Sequence, residues 1–175
     1  MKCLIILTSY LALLSCKTDA QKLQISIIHA EPKEVKRKNQ ETGESRTFMT
    51  YKEVEKRLDP GIIMFSKNSK TLKFRIQGNI SSSGHSIHKV RKIRLEKGTQ
   101  NGNTITLRYY VEIKKQPGKE SANVKGYHYS KDETYTIPND VKVINIELYE
   151  DQINEVSDTL PRLISKQTFN FFAKM

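Results

Sequence analysis

Tryptophan is absent from this chain of 175 residues, and its two cysteines, Cys3 and Cys16, both stand near the N-terminus. The body therefore has no cysteine for a disulfide framework, a cysteine-rich zinc domain or a catalytic thiol. After the N-terminal segment no long apolar run remains, so nothing later offers the ~20 apolar residues of a membrane-spanning helix. Negative charge is the scarcer sign: 19 Asp and Glu stand against 30 Lys and Arg, giving a net charge of +11 and an isoelectric point near 9.6. An electrostatic partner is then expected to be anionic. With 37% hydrophobic and 28% charged residues the length fits one compact domain, and whole-chain disorder is excluded.

The first fifteen residues hold one cation, Lys2, ahead of an uncharged run from Cys3 to Ser15. This predicts a signal peptide over 1–15, because the run is too short to cross a bilayer as a helix. Leu13-Leu14-Ser15-Cys16 resembles the lipobox of bacterial lipoproteins. The resemblance implies cleavage before Cys16, diacylglycerol on its sulfur and a tether over 16–22, each buried methylene adding about 0.8 kcal/mol of anchoring. Lys17, where Asp would signal inner-membrane retention, implies the outer membrane. The alternative is cleavage after Thr18-Asp19-Ala20, leaving a soluble periplasmic or secreted protein. Either route leaves a mature net charge of +10.

The body, residues 23–175, reads as strands. Leu23-Gln24-Ile25-Ser26-Ile27 alternates with period two, whereas Glu31 to Arg46 has Val35 as its only large apolar side chain and reads as a solvated loop. Thr50-Tyr51-Lys52-Glu53 has capping-box spacing, with Tyr51, Val54 and Leu58 at helical intervals, and predicts a short helix ending before Pro60-Gly61. Leu72 to Ile80 places apolar residues or Gly at the even positions. Between Ile87 and Lys97 the parity changes, which predicts a bulge near Arg91-Lys92. Asn101-Gly102-Asn103 is hairpin chemistry, followed by Ile105, Leu107, Tyr109, Val111 and Ile113 on alternate positions; Ile144, Ile146 and Leu148 form a later inward row. Phe169, Phe171 and Phe172 read as core closure.

These signals predict a mainly β fold, an antiparallel immunoglobulin-like β-sandwich of about seven strands with one short helix. The spacing of Gly and apolar residues from Phe74 to Ile80, His85 to Leu95, Gly102 to Leu107 and Tyr135 to Pro138 resembles small immunoglobulin-like lipoproteins of bacterial envelopes. It differs from antibody-type domains in lacking both a core Trp and a cross-sheet disulfide.

No catalytic constellation or cofactor site is read. The Ser81-Ser82-Ser83-Gly84-His85-Ser86-Ile87-His88 stretch lacks the nucleophile-elbow pattern and reads as a polar loop between strands. His85 and His88 are three apart, facing opposite ways on an extended strand, and no third metal ligand stands nearby. Glu147, Glu150, Asp151 and Glu155 read as a solvated acidic cap.

The distinctive feature is clustered basic charge. Lys33, Lys36, Arg37 and Lys38 lie in the first polar stretch, and Lys89, Arg91, Lys92, Arg94 and Lys97 follow within nine positions. Lys73, Arg75, Arg108 and Lys114 take the outward parity of neighbouring strands, so Lys89, Arg91, Lys92, Arg94, Lys73, Arg75 and Arg108 are expected to form an anion-binding face carrying Tyr110. Export argues against nucleic acid and for an acidic lipid, an acidic glycan or an envelope protein. The expected function is a membrane-tethered, non-enzymatic binding lipoprotein of the cell envelope. An immunity or inhibitor protein against an exported toxin or hydrolase, an envelope hydrolase, and a structural accessory whose sheet edge receives a partner strand are the alternatives.

Overall fold

The computed structural model describes residues 22–82, 86–153 and 160–171, apart from the side chain of Lys97. Nine strands follow in order: β1 (Gln24–Lys38), β2 (Ser45–Glu53), β3 (Gly61–Lys67), β4 (Thr71–Ser81), β5 (Ser86–Asn101), β6 (Thr104–Pro117), β7 (Val124–Thr136), β8 (Val143–Ile153) and β9 (Arg162–Asn170). They make two sheets, β2-β1-β7-β4-β3 and β5-β6-β8-β9. The fold is an all-β two-sheet sandwich, and none of the described residues is helical.

Period two decides the core. Leu72, Phe74, Ile76 and Ile80 of one sheet face Ile105, Leu107, Tyr109, Val111, Ile113, Ile144, Ile146 and Leu148 of the other, all buried. The Phe74 and Tyr109 rings meet edge to face between the sheets, their centroids 5.7 Å apart. Gly78 continues the inward row of β4, and Tyr129, its register partner on β7, lays its ring over the space a side chain would fill. Phe169 closes the core with Phe171 packed against it, as expected; Phe172 lies outside the described residues. The β5–β6 hairpin turns at Gly102-Asn103, with Gly102 at φ 59°, and a register shift between Val90 and Lys92 supplies the expected bulge.

Three expectations are corrected. The predicted short helix is absent: residues 50–53 belong to β2, where Thr47, Phe48, Thr50 and Tyr51 are good strand formers and nine register pairs with β1 outweigh two turns of isolated helix. The stretch from Glu31 is not a loop, because β1 continues to Lys38. The sheets are not wholly antiparallel either. β6 and β8 run parallel, since the intervening β7 crosses to the other sheet and back.

Candidate binding surface

Strand parity turns Arg108, Tyr110 and Glu112 of β6 outward, and β5 sets Arg94 opposite Tyr110 and Lys92 opposite Glu112. The parallel neighbour β8 adds Glu147 beside Arg108, Tyr149 beside Tyr110 and Asp151 beside Glu112. Charges therefore alternate across the sheet. Glu112, its side chain only 8% exposed, meets the Arg94 guanidinium at 3.0 Å and the Lys92 ammonium at 3.4 Å, while Arg94 also reaches Asp151 at 3.7 Å. Glu147 accepts from Arg108 at 3.1 Å, Lys166 at 2.9 Å and the Tyr149 hydroxyl at 3.0 Å. The Lys166, Tyr149 and Arg108 donors hold the Glu147 carboxyl below its usual range against the opposing effect of burial. Tyr110 stacks on Tyr149 at 5.2 Å, with the Arg94 guanidinium 4.5 Å from its ring centre.

The seven predicted cations do not share one face. Lys73 and Arg75 sit on β4, in the other sheet from Lys89, Arg91, Lys92, Arg94 and Arg108 on β5 and β6. Arg75 is engaged by Asp132 through bonds of 2.6 and 2.9 Å, which depress the Asp132 carboxyl, and its guanidinium lies over Phe65. Of the five on the second sheet, Lys92, Arg94 and Arg108 are charge-paired. Lys89 and Arg91 are exposed, Lys89 opposite Lys114 and Arg91 the extra residue of the bulge. The acidic cap is corrected as well: Glu147 is 9% exposed inside this network, and Arg162 binds Glu150 at 2.6 Å. Cys16, His85 and Glu155 lie outside the described residues.

Where β4, β6 and β8 end, a cleft of about 240 Å³ opens between the sheets, lined by Asn79, His88, Lys115, Glu150, Gln152 and Arg162 among others. His88 bridges its rim, with Nδ1 2.9 Å from the Ser81 carbonyl oxygen and Nε2 3.4 Å from Ser86 Oγ. The Ser81 contact joins β5 to the end of β4, and Ser86, 5% exposed, presents no open hydroxyl. Among the described residues, no group of three or more His, Cys, Asp or Glu could hold a metal ion.

The feature that sequence reasoning missed is an arm. β1 pairs β7 only from Gln24 to His29; from Ala30 to Lys38 its partner is β2. Nine paired residues at ~3.3 Å each give a two-stranded ribbon about 30 Å long. Its turn is closed by Asn39, whose amide donates to the Glu44 carbonyl at 2.8 Å and whose side chain accepts from Glu41 N, and by Gly43 at φ 71°. The root is fastened. Val54 N donates to His29 O, Arg57 binds Glu53 at 2.6 Å and Ser81 at 2.8 Å, and Asn79 exchanges hydrogen bonds of 2.9 and 2.6 Å with the Leu58 backbone.

Beyond its root the arm makes little contact with the other described residues, the Lys125 ammonium of β7 lying 5.4 Å from the Tyr51 ring centre. Every residue from Glu31 to Lys52 is exposed except the half-buried Val35, and Phe48, Met49 and Tyr51 are 50%, 59% and 39% exposed. Asn39 and Gly43 are the turn-type residues that could signal it in the sequence, but without an apolar alternation on either side they do not define a hairpin. Comparison with protein families, curated proteins and solved structures finds no match to this chain.

Proposed function

We propose that this chain is an exported binding module of a bacterial cell envelope, non-enzymatic and anchored by lipid on Cys16, and that it engages a protein partner through the β1–β2 arm. The observation that carries the reading is the arm itself: a fastened ribbon with large apolar side chains in solvent has no part in the core, and such exposure marks interaction surfaces. The envelope address rests on the signal-like N-terminus and the Leu13-to-Cys16 resemblance.

Eight Cα steps separate Cys16 from Gln24, a reach of at most about 28 Å, and β1 then runs from its tethered end toward the arm tip. At ~3.3 Å per residue, the fifteen residues of β1 carry the tip up to about 50 Å from the start of the strand. An arm of that length can reach a partner standing off the anchoring membrane. The charge pairing of Lys92, Arg94 and Arg108 turns the reading from the second sheet toward the arm.

Co-purification from native membranes tests it. Tagged full-length protein is compared with Cys16→Ala and with a variant in which residues 32–51 are replaced by Asn-Gly, joining the register partners Glu31 and Lys52 by a two-residue turn. The full chain and the membrane-released Cys16→Ala protein are expected to retain a stoichiometric partner, and the armless variant to lose it. Undiminished capture without the arm overturns the reading, and a Cys16→Ala protein that stays in the membrane fraction overturns the anchor. A captured toxin or hydrolase, inhibited while bound, would identify the inhibitor form of the same activity.

A further inference from the structure

Resting on the arm reading above, we propose that the open edge of β2 receives an extended acidic segment of the partner as a third strand. Among the described residues β2 is the outermost strand of its sheet, and one side of its backbone has no strand beside it. From Ser45 to Lys52 it reads Ser-Arg-Thr-Phe-Met-Thr-Tyr-Lys, with two cations and no carboxylate. Proteins commonly guard such edges by shortening, covering or bending them. Here Ser45 to Thr50 are exposed, and only Tyr51, near the root, meets the sandwich among the described residues, with the Lys125 ammonium of β7 5.4 Å from its ring centre. The other edge of this sheet, β3, is less accessible: it lies against β9, with Lys67 Nζ 2.9 Å from the Asn170 carbonyl oxygen.

The register specifies the chemistry of the incoming strand. On one face the cross-strand pairs are Arg37 with Arg46, Val35 with Phe48, Lys33 with Thr50 and Glu31 with Lys52. Arg37 and Arg46 are like charges directly opposed, an unfavourable arrangement in a bare ribbon that an added carboxylate relieves. Among the described residues the charge partner of Arg46 is Glu44, a solvent-exposed contact at 3.5 Å. Val35 and Phe48 form the apolar centre between these cations. The opposite face offers Met49 and Tyr51 along the same edge. A complementary strand thus carries carboxylates opposite Arg46 and Lys52 and apolar side chains opposite Phe48, Met49 and Tyr51. Backbone bonds to β2 would supply affinity and the alternating side chains selectivity. Because a two-stranded ribbon is marginal in water by itself, the third strand also stabilises the arm.

The probe is a capped heptapeptide, Glu-Thr-Val-Val-Thr-Val-Glu, compared with the same peptide ending in Lys and with two versions N-methylated on alternate amides, each added to the full chain. The acidic peptide is expected to bind at least about tenfold more tightly than the Lys-ended one and to slow hydrogen exchange of the β2 amides. One methylated version loses binding while the other keeps it, because only alternate amides of an added strand face β2. The double variant Arg46→Glu/Lys52→Glu inverts the ranking at unchanged far-UV circular dichroism. Equal binding of the acidic and Lys-ended peptides, retention by both methylated versions, or arm-dependent binding only to phosphatidylglycerol vesicles overturns the proposal. If the armless variant loses its partner while the peptides fail, the strand-addition inference falls and the arm reading stands.

Discussion

Glu112 is an outward-facing residue of β6 that is nonetheless buried, because Lys92 and Arg94 cover it. Burying a carboxylate costs free energy unless donors compensate it, so Arg94 supports the fold whatever else it contacts. Arg94→Glu is expected to destabilise the protein by about 2 kcal/mol, the scale of a hydrogen bond to a charged group, with like-charge repulsion added. Arg91→Glu, in an exposed bulge position, should change stability by less than ~0.5 kcal/mol. Urea denaturation of the two variants checks this, and equal losses would show that Glu112 does not depend on Arg94. The cluster Lys89, Arg91, Lys92 and Arg94 was legible in the sequence as positive charge. The neutralisation of Lys92 and Arg94 was not, because their acids, Glu112 and Asp151, come from β6 and β8, roughly twenty to sixty positions away.

The arm is the element whose stability separates from that of the sandwich. No arm residue from Glu31 to Lys52 is buried, so its contribution to core packing is small, and its root is held by Arg57, Asn79 and Gln77, which remain after truncation. Replacing residues 32–51 by Asn-Gly is expected to shift the thermal midpoint by no more than about 4 °C in calorimetry. A larger loss would mean that the arm stabilises the sandwich. Elements with one dry face were readable: Leu72 to Ile80, Ile105 to Ile113 and Ile144 to Leu148 all alternate because the core selects every second side chain. The arm was not readable, since two wet faces impose no periodicity, and Tyr51, Val54 and Leu58 fell by spacing alone on a helical pattern.

For the molecule as a whole, the basic excess is offset by carboxylates used as structural acceptors. Arg57 lowers Glu53, Arg75 lowers Asp132 and Lys166 leads the donors that lower Glu147. A carboxyl whose folded pKa lies below its unfolded value gives stability that is fully present above the unfolded pKa and lost as pH falls through the folded one. Stability is therefore expected to be level with respect to these groups from neutrality down to about pH 5 and to fall below about pH 4. Thermal midpoints measured between pH 7 and 2.5 check this, and Glu147→Gln should start lower and decline less steeply; an identical acid slope would remove Glu147 from the linkage. The sequence by itself determined the strand faces, the bulge near Arg91, the Asn101-Gly102 turn and the basic balance, because these follow from local parity, turn chemistry and composition. Only the tertiary structure decided which strands are neighbours, that β6 and β8 run parallel, that the predicted cations divide between two sheets, and that β1 outruns β7 to form an arm. Pairing across a sheet is a long-range choice, and side-chain alternation specifies a face without naming the strand that lies beside it.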